Sequence, residues 1–346
     1  SITHVEIKMI KIAAAISLLV GLGDAALSVA SELVPAVGAA VLPFYSNVSF
    51  AAASGGTAFQ AEEGRLGGGK DFGQRLGHFV FSYFSPSSCM IPIYLFRFGL
   101  MLLSLSAIIF SGYRSALVLW ACYFSVGLLV RREGAKLLVF GVAGLVALSL
   151  LLASGLTKEL PYGLQRILTV IPFAQVEGRV RVDAENSTDF RTEMWKLALT
   201  SDRYIKNKIL GDGFGLTAAE QRTQLAAVFG DQRARQASRG IEDFMARGSY
   251  HGFHVETIRY TGFLGLLCAL ISLGIFFQAA RKLIHHFRGS KEWGWVIYLC
   301  MPFLIYPFYY MLIFGSYRNE FPVVLVMVGM LKMLDNIRVR DRKSVV

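Results

Sequence analysis

The sequence predicts an all-α integral membrane protein with about eight transmembrane helices and one large helical extracytoplasmic loop. Of its 346 residues, 54% are hydrophobic and only 17% are charged, whereas soluble proteins carry about 25% charged residues. The apolar residues form runs long enough to cross a bilayer, which takes roughly 20 residues per helix. These runs lack the alternation of transmembrane β-strands. The chain begins with Ser1 rather than methionine, which leaves open whether further helices precede it.

The apolar runs give the predicted helices in chain order. The run at 72–87 is short and weakly apolar, and the run at 90–110 is interrupted by Arg97. Segment 33–53 is apolar but contains prolines and an asparagine, so we interpret it as re-entrant or interfacial. The predicted spans are residues 8–30, 72–87, 90–110, 113–130, 136–155, 252–280, 293–314 and 318–336.

Basic residues give the orientation. Three short stretches at the ends of apolar runs (131–136, 281–292 and 332–346) together hold +8 of the net charge of +11. Short basic loops stay in the cytoplasm, and the eight-span topology places all three stretches on that side. The positive charge therefore indicates membrane orientation and not nucleic-acid binding. Both termini are predicted inside, and the loop 156–250 is predicted outside.

This topology divides the chain into four parts. We expect N-terminal transmembrane helices over 1–155 with a Gly/Arg-rich extracytoplasmic loop near 55–75, a loop subdomain over 156–250, C-terminal transmembrane helices over 251–336 and a basic cytoplasmic tail over 337–346.

The long loop should be folded, because structureless loops of this length are uncommon. Residues 189–205 place apolar side chains on one helical stripe, and Asp189 is the predicted N-cap. The glycine-rich stretch 211–215 then breaks the chain, and a second helix is predicted over 217–229.

Cationic side chains on the extracytoplasmic side are the first candidate functional residues. Arg114, preceded by Tyr113, opens an apolar helix, and Arg65 lies in the glycine-rich loop 60–75. Arg191 and Trp195 lie one turn apart on the predicted loop helix. Such cations suit phosphate oxygens. The alternatives are an arginine that reaches the lipid headgroups, a flexible solvent loop and an ordinary surface ion pair.

Histidines supply the second candidate group. His251 and His254 enter the helix predicted at 252–280, three residues apart, and a histidine can accept a proton from a hydroxyl near neutral pH. With Glu256 they lack a third strong ligand at helical spacing. We therefore expect no metal site and no cofactor.

Together these motifs resemble the O-antigen ligase and O-antigen polymerase superfamily, a group of bacterial membrane glycosyltransferases of the GT-C type. The stretches "SGYRSALVLW" (111–120), "FRTEMWKLAL" (190–199) and "ILGDGFG" (209–215) occur in the family's order. "HGFHVETIRYTGFLG" (251–265) resembles its histidine motif, with His251 placed 11 residues before Gly262 and 14 before Gly265. "EEGRLGGG" (62–69) resembles an earlier loop that carries an arginine. The chain departs from the family at Gly252, where asparagine is usual, and before Gly262, where an acid is usual.

The resemblance implies metal-independent, inverting transfer of a glycan from undecaprenyl pyrophosphate to a sugar hydroxyl, at the periplasmic face of the bacterial inner membrane. His251 would be the catalytic residue, acting as a base or as a hydrogen-bond acceptor. Arg65, Tyr113, Arg114, Arg191, Trp195 and His254 would bind the pyrophosphate or the glycan. The expected partners are the lipid-linked donor, a glycan or lipid A core acceptor, membrane lipids and an envelope polysaccharide assembly complex.

Two kinds of alternative stay open at this point. Within the family, the sequence does not separate a ligase from a polymerase. Outside it, a transporter or flippase of lipid-linked saccharides would show internal repeats and midplane charges, and neither is visible here. A receptor or structural membrane protein would have no need of the Arg114 and His251 motifs.

Overall fold

The computed structural model describes residues 2–34, 67–215, 245, 250–312 and 317–343. Within this part of the chain every regular element is helical. A single 3₁₀ turn, Leu156–Lys158, follows the sixth helix. The helices are α1 Ile2–Leu33, α2 Gly67–Tyr83, α3 Pro86–Cys89, α4 Leu95–Ser111, α5 Arg114–Val130, α6 Gly134–Ala153, α7 Tyr162–Leu168, α8 Gly178–Thr200, α9 Phe253–His286, α10 Trp293–Leu312 and α11 Tyr317–Lys343.

The helical membrane character predicted from the sequence is confirmed in its coarse form. Among the described residues, three helices are long and apolar enough to cross a membrane: Val5–Ser31, Gly134–Ala153 and Phe253–His286. The apolar helices α4 and α5 are shorter. The count of eight crossings therefore stays a prediction. Most of segment 33–53 and the whole of the predicted helix 217–229 lie outside the described residues.

Several helices extend beyond their predicted bounds, among them α8 and α11. α8 begins at Gly178, so Asp189 lies inside the helix and the prediction that it is the N-cap is wrong. No glycine or proline interrupts 179–188, and polarity alone does not end a helix. α11 continues through the basic stretch as far as Lys343.

The chain forms two compact units. The first comprises Ser1–Ala184, Leu283–Pro302 and Met333–Val346, and the second comprises Glu185–Lys282 and Phe303–Lys332. In the first unit, α2 packs against α1, α4 and α5. The α2–α4 contact is close: a Cβ on Gly73 would lie 2.7 Å from the Ser104 backbone oxygen. The Ser104 hydroxyl donates to the Gly73 carbonyl at 2.7 Å, and such small-residue contacts are typical of membrane helices.

The central position of α2 explains its weak hydropathy. His78 is buried in it, with its ring stacked between Tyr123 and Tyr298 at centroid distances of 4.6 and 4.4 Å. The His78 Nε2 atom lies 2.9 Å from the Tyr298 backbone oxygen. Polar side chains in this helix therefore have partners inside the protein. The far more apolar α6 has no buried residue at all.

The basic turn after α5 is held by a specific contact. Arg131 donates to the backbone oxygens of Phe81 at 3.0 Å and Ser82 at 2.7 Å, at the end of α2. The last carbonyls of a helix lack intrahelical partners, and a cation there also complements the helix dipole. Arg131 thus joins the ends of α2 and α5.

Candidate functional site

The apolar stripe predicted on the loop helix forms the core of the second unit. Met194 and Ala198 of α8 are fully buried. Phe190, Trp195 and Leu197 pack at the margin of the same cluster. The other buried members of the cluster are Ile205, Met245, Tyr250, Val255 and Ile258.

Trp195 joins α8 to the entry of α9. Its indole Nε1 donates to the Tyr250 backbone oxygen at 2.7 Å. Its ring meets the His254 ring edge to face at 4.8 Å. Gly252 makes room for the indole, because a Cβ there would lie 2.9 Å from Nε1. The glycine that replaces the expected asparagine is thus accounted for by the position of Trp195.

His251 lies between these contacts in an unusual conformation. Its φ of 49° is in the left-handed region, where non-glycine residues are uncommon and strained conformations cluster at functional sites. Burial, and secondly the nearby charge of Arg191, lower the pKa of His251 from 6.5 to about 4. The imidazole is therefore neutral at pH 7 and can accept a hydrogen bond.

Arg191 and His254 complete this group. The Arg191 Nη2 atom donates to the Ser187 hydroxyl at 3.2 Å, within α8. The Nδ1 atom of His254 is buried and has no hydrogen-bond partner among the described residues. A buried polar atom of this kind is costly unless a ligand or water satisfies it. Arg191, Trp195, His251 and His254 therefore form one cluster in the second unit.

A buried acid in the first turn of α9 contacts the backbone that precedes the helix. Glu256 is buried, and its Oε1 atom accepts the Tyr250 backbone N–H at 3.4 Å. A carboxylate near a helix N-terminus is stabilised by the unpaired N–H groups and by the helix dipole. Glu256 thus fixes the backbone just before His251.

α9 is broken at Gly262, where φ is 71° and ψ is −175°. At the break, the N–H groups of residues 263 and 264 do not form their hydrogen bonds within the helix. They donate to carbonyls of the turn 208–214 instead. Phe263 and Leu264 donate to the backbone oxygens of Lys208 and Ile209 at 2.8 and 3.2 Å. In return, the oxygens of residues 259 and 260 accept from the N–H groups of residues 212 and 213 at 2.8 and 3.1 Å.

Two glycines face each other in this junction. A Cβ on Gly262 would collide with the backbone oxygen of Ile209, and a Cβ on Gly211 would lie 2.5 Å from the backbone nitrogen of Thr261. Both residues have positive φ, so both the space and the conformation require glycine. Both glycines stand in motifs that are visible in the sequence, whereas their docking on each other is visible only in the structure.

A buried ion pair lies beside the junction. The Arg259 side chain is 1% exposed, and its Nη1 atom lies 3.7 Å from the Asp212 Oδ2 atom. The Asp212 carboxylate also accepts the backbone N–H groups of Lys206 at 3.1 Å and Asn207 at 2.9 Å. The Phe214 ring stacks on Tyr260 at 5.3 Å. The residues from His251 to the break are thus held at one end by Trp195 and at the other end by the turn 208–214.

Tyr113 and Arg114 belong to the first unit. Arg114 begins α5, and its Nη2 atom donates to the Ala184 backbone oxygen at 3.1 Å. The Lys70 ammonium lies 5.3 Å from the centre of the Tyr113 ring. Arg114 is therefore tied to the start of α8, as well as being a candidate for anion binding.

A second arginine supports the same helix end. Arg166 is buried; its Nε atom donates to Asp183 at 2.7 Å and its Nη1 atom to the Gly112 backbone oxygen at 3.2 Å. The Tyr162 hydroxyl donates to the same Asp183 oxygen at 2.8 Å. The contacts of Arg166 with Asp183 and Gly112 link α8 to the turn that precedes Arg114.

The structure brings four of the seven predicted site residues together in the second unit, and it places Tyr113 and Arg114 in the first. Arg65 lies outside the described residues. The described part of the chain contains no cluster of three or more His, Cys, Asp or Glu side chains able to hold a metal ion. Sequence reasoning missed Asp212, Arg259, Arg166 and Asp183. Asp212 and Arg259 lie inside the motifs at 209–215 and 251–265, so the sequence offered a reason to consider these two.

Comparison with known proteins found no matching family, no similar curated protein and no similar solved structure. The resemblance to the O-antigen ligase and polymerase superfamily therefore rests on the motifs alone.

Proposed function

We propose that the protein is a membrane glycosyltransferase that moves a glycan from undecaprenyl pyrophosphate to a sugar hydroxyl, as an O-antigen or exopolysaccharide polymerase or as an O-antigen ligase. The observation that carries the proposal is the cluster of the second unit. A neutral histidine in a left-handed conformation adjoins a cationic arginine and a tryptophan. A cation, a hydrogen-bond acceptor and an aromatic face suit a phosphorylated sugar.

The chemistry follows from these groups. The acceptor hydroxyl oxygen attacks the anomeric carbon, and the bond from that carbon to the pyrophosphate oxygen breaks with inversion. The hydroxyl proton passes to His251, and the negative charge that develops on the leaving group is stabilised by cations. Arg191 serves this role in the second unit. Arg65 and Arg114, with Tyr113, are the further candidates, and no metal ion is required in this scheme.

The low pKa of His251 is compatible with this role. Arg191 helps to keep the imidazole neutral, which is the form that accepts the hydroxyl hydrogen. A bound pyrophosphate adds negative charge nearby and raises the pKa of His251, so it becomes a better base when the donor is present. Trp195 and His254 offer an aromatic face and a polar ring nitrogen to the glycan.

The proposal includes the finer topology. Eight crossings would place both termini in the cytoplasm and the loop 156–250 in the periplasm of a bacterial inner membrane. The donor's lipid tail would stay in the bilayer, and a glycan or the lipid A core would enter from the periplasm. An envelope polysaccharide assembly complex is the expected setting.

The test is genetic complementation. His251→Gln should abolish, and Arg191→Gln should reduce, polymer formation or lipid A capping in cells that lack the native protein. His285→Gln is the matched control, since it alters an exposed histidine at the far end of α9 and should leave activity unchanged. Normal activity of His251→Gln at equal expression would overturn the proposed mechanism.

The reaction product distinguishes a polymerase from a ligase. Longer chains on the lipid carrier identify a polymerase, and glycan on lipid A identifies a ligase. Movement of the lipid-linked glycan across the membrane without a new glycosidic bond would favour the flippase instead.

A further inference from the structure

The turn 208–214 exposes apolar side chains at its tip. Ile209, Leu210 and Phe214 are 69%, 61% and 67% exposed. Large exposed apolar groups that lie together usually mark an interaction surface.

The base of the same turn is polar. Lys208 pairs with Asp202, whose side chain is 84% exposed. The only acid within the turn, Asp212, points inward to the backbone N–H groups of residues 206 and 207 and to Arg259. The turn thus has a charged base and an uncharged, apolar tip.

The turn has a defined position along α9. Its four backbone hydrogen bonds attach it at the break around Gly262, where the apolar half of the helix begins. Phe263, Leu264 and Leu267 in the first turns of that half are also exposed. The apolar tip is therefore continuous with the surface of α9 that would face lipid if α9 spans the membrane.

We infer that the turn 208–214 inserts its tip into the membrane leaflet at the N-terminal side of α9, where Ile209, Leu210 and Phe214 contact lipid acyl chains. The inference rests on the proposed span of α9 and is independent of the glycosyl transfer. Backbone that leaves a helix at membrane depth must find partners within the protein, and the turn and the broken helix satisfy each other's N–H and carbonyl groups. Lys206 and Lys208 at the base then lie where lipid phosphates are.

Insertion depth can be measured with a nitroxide in vesicles of phosphatidylethanolamine and phosphatidylglycerol. Leu210→Cys is labelled in a background in which Cys122 and Cys268 are alanine, since the other two cysteines, Cys89 and Cys300, are buried. Asp202→Cys in the same background is the aqueous control at the base of the turn. Native Cys268, exposed on α9, is labelled in a Cys122→Ala protein as the lipid reference.

The ratio of collisions with oxygen to collisions with a soluble nickel chelate should be several-fold higher at position 210 than at 202 and close to that at 268. A low ratio at 210 with a high ratio at 268 overturns the inference and leaves the span of α9 intact. A low ratio at position 268 contradicts both the insertion of the turn and the span of α9. As a second measurement that leaves all cysteines in place, Phe214→Trp should add fluorescence that brominated lipids quench, and unquenched added fluorescence would contradict insertion.

Discussion

At the scale of single residues, His251 is the position on which the proposed chemistry depends most. Its backbone is strained and its pKa is lowered to about 4, first by burial and then by Arg191. The folded protein therefore resists protonating this residue, whereas the unfolded chain protonates it near 6.5. The stability that His251 contributes is complete above about pH 6.5 and is lost as pH falls from 6.5 towards 4.

The lowered pKa predicts an unusual pH profile. Since kcat/KM reports the free enzyme, its acid limb should fall near pH 4 rather than near 6.5. Arg191→Lys keeps the charge and should leave the limb in place, while Arg191→Gln should raise the pKa of His251 and move the limb upward. A limb at 6.5 in the unmodified protein would show that His251 is not the titrating group.

Gly252 gives a prediction about packing. Gly252→Asn restores the family's usual residue, but its Cβ would lie 2.9 Å from the Trp195 indole nitrogen. Such overpacking costs about 1–3 kcal/mol, so the thermal midpoint should drop and the Trp195 fluorescence should change. The control is Gly274→Ala on α9, where no atom lies within 4 Å of the added Cβ. Equal midpoints for the two variants would contradict the packing described around Trp195.

At the scale of elements, the sequence predicted where helices run better than where they break. Long apolar runs favour helices, and every predicted span overlaps a helix, although the bounds differ by several residues. The apolar run gave no sign of the break in α9, because glycine inside a helix costs only about 1 kcal/mol relative to alanine, and Gly265 and Gly274 lie in the same helix without breaking it. Its cause lies in the turn 208–214, far away in sequence, and pairing between distant segments is invisible to periodicity.

The junction in α9 gives a prediction at this scale. Asp212→Asn removes the negative charge beside the buried Arg259 guanidinium, which is destabilising, so the variant should lower the thermal midpoint and expose the amides of 259–264 to hydrogen exchange. Asp202→Asn, which removes an exposed acid from the base of the same turn, should change neither. Unaltered exchange in Asp212→Asn would mean that the pair does not hold the junction.

At the scale of the whole molecule, α2 and α6 show how hydropathy can relate to packing inside the protein. α6 has no buried residue and α2 packs against three helices. That is why the least apolar predicted span proved the most central in the first unit. Of the candidate site, the sequence located His251, Arg191, Trp195 and His254, because each stands in a motif with a chemical reason. It missed Arg259 and Asp212, whose roles appear only when the two motifs dock.

The predicted topology can be tested with an impermeant maleimide on spheroplasts, in the Cys122→Ala, Cys268→Ala background. Arg179→Cys, in the first turn of α8 and exposed, should react in intact cells. Lys291→Cys, exposed in the basic stretch between α9 and α10, should react only after lysis. Labelling of both positions from outside would contradict the predicted sidedness.

The proposed function requires that this chain form a glycosidic bond in a reaction that depends on His251. The most direct measurement is glycan transfer by the purified protein in vesicles that contain a defined undecaprenyl-pyrophosphate-linked glycan and a sugar acceptor. We predict product with inverted anomeric configuration and loss of at least about 100-fold in rate for His251→Gln, the lower range for removal of a general base. Transfer by His251→Gln at the unmodified rate, with His285→Gln as the control, would contradict the account.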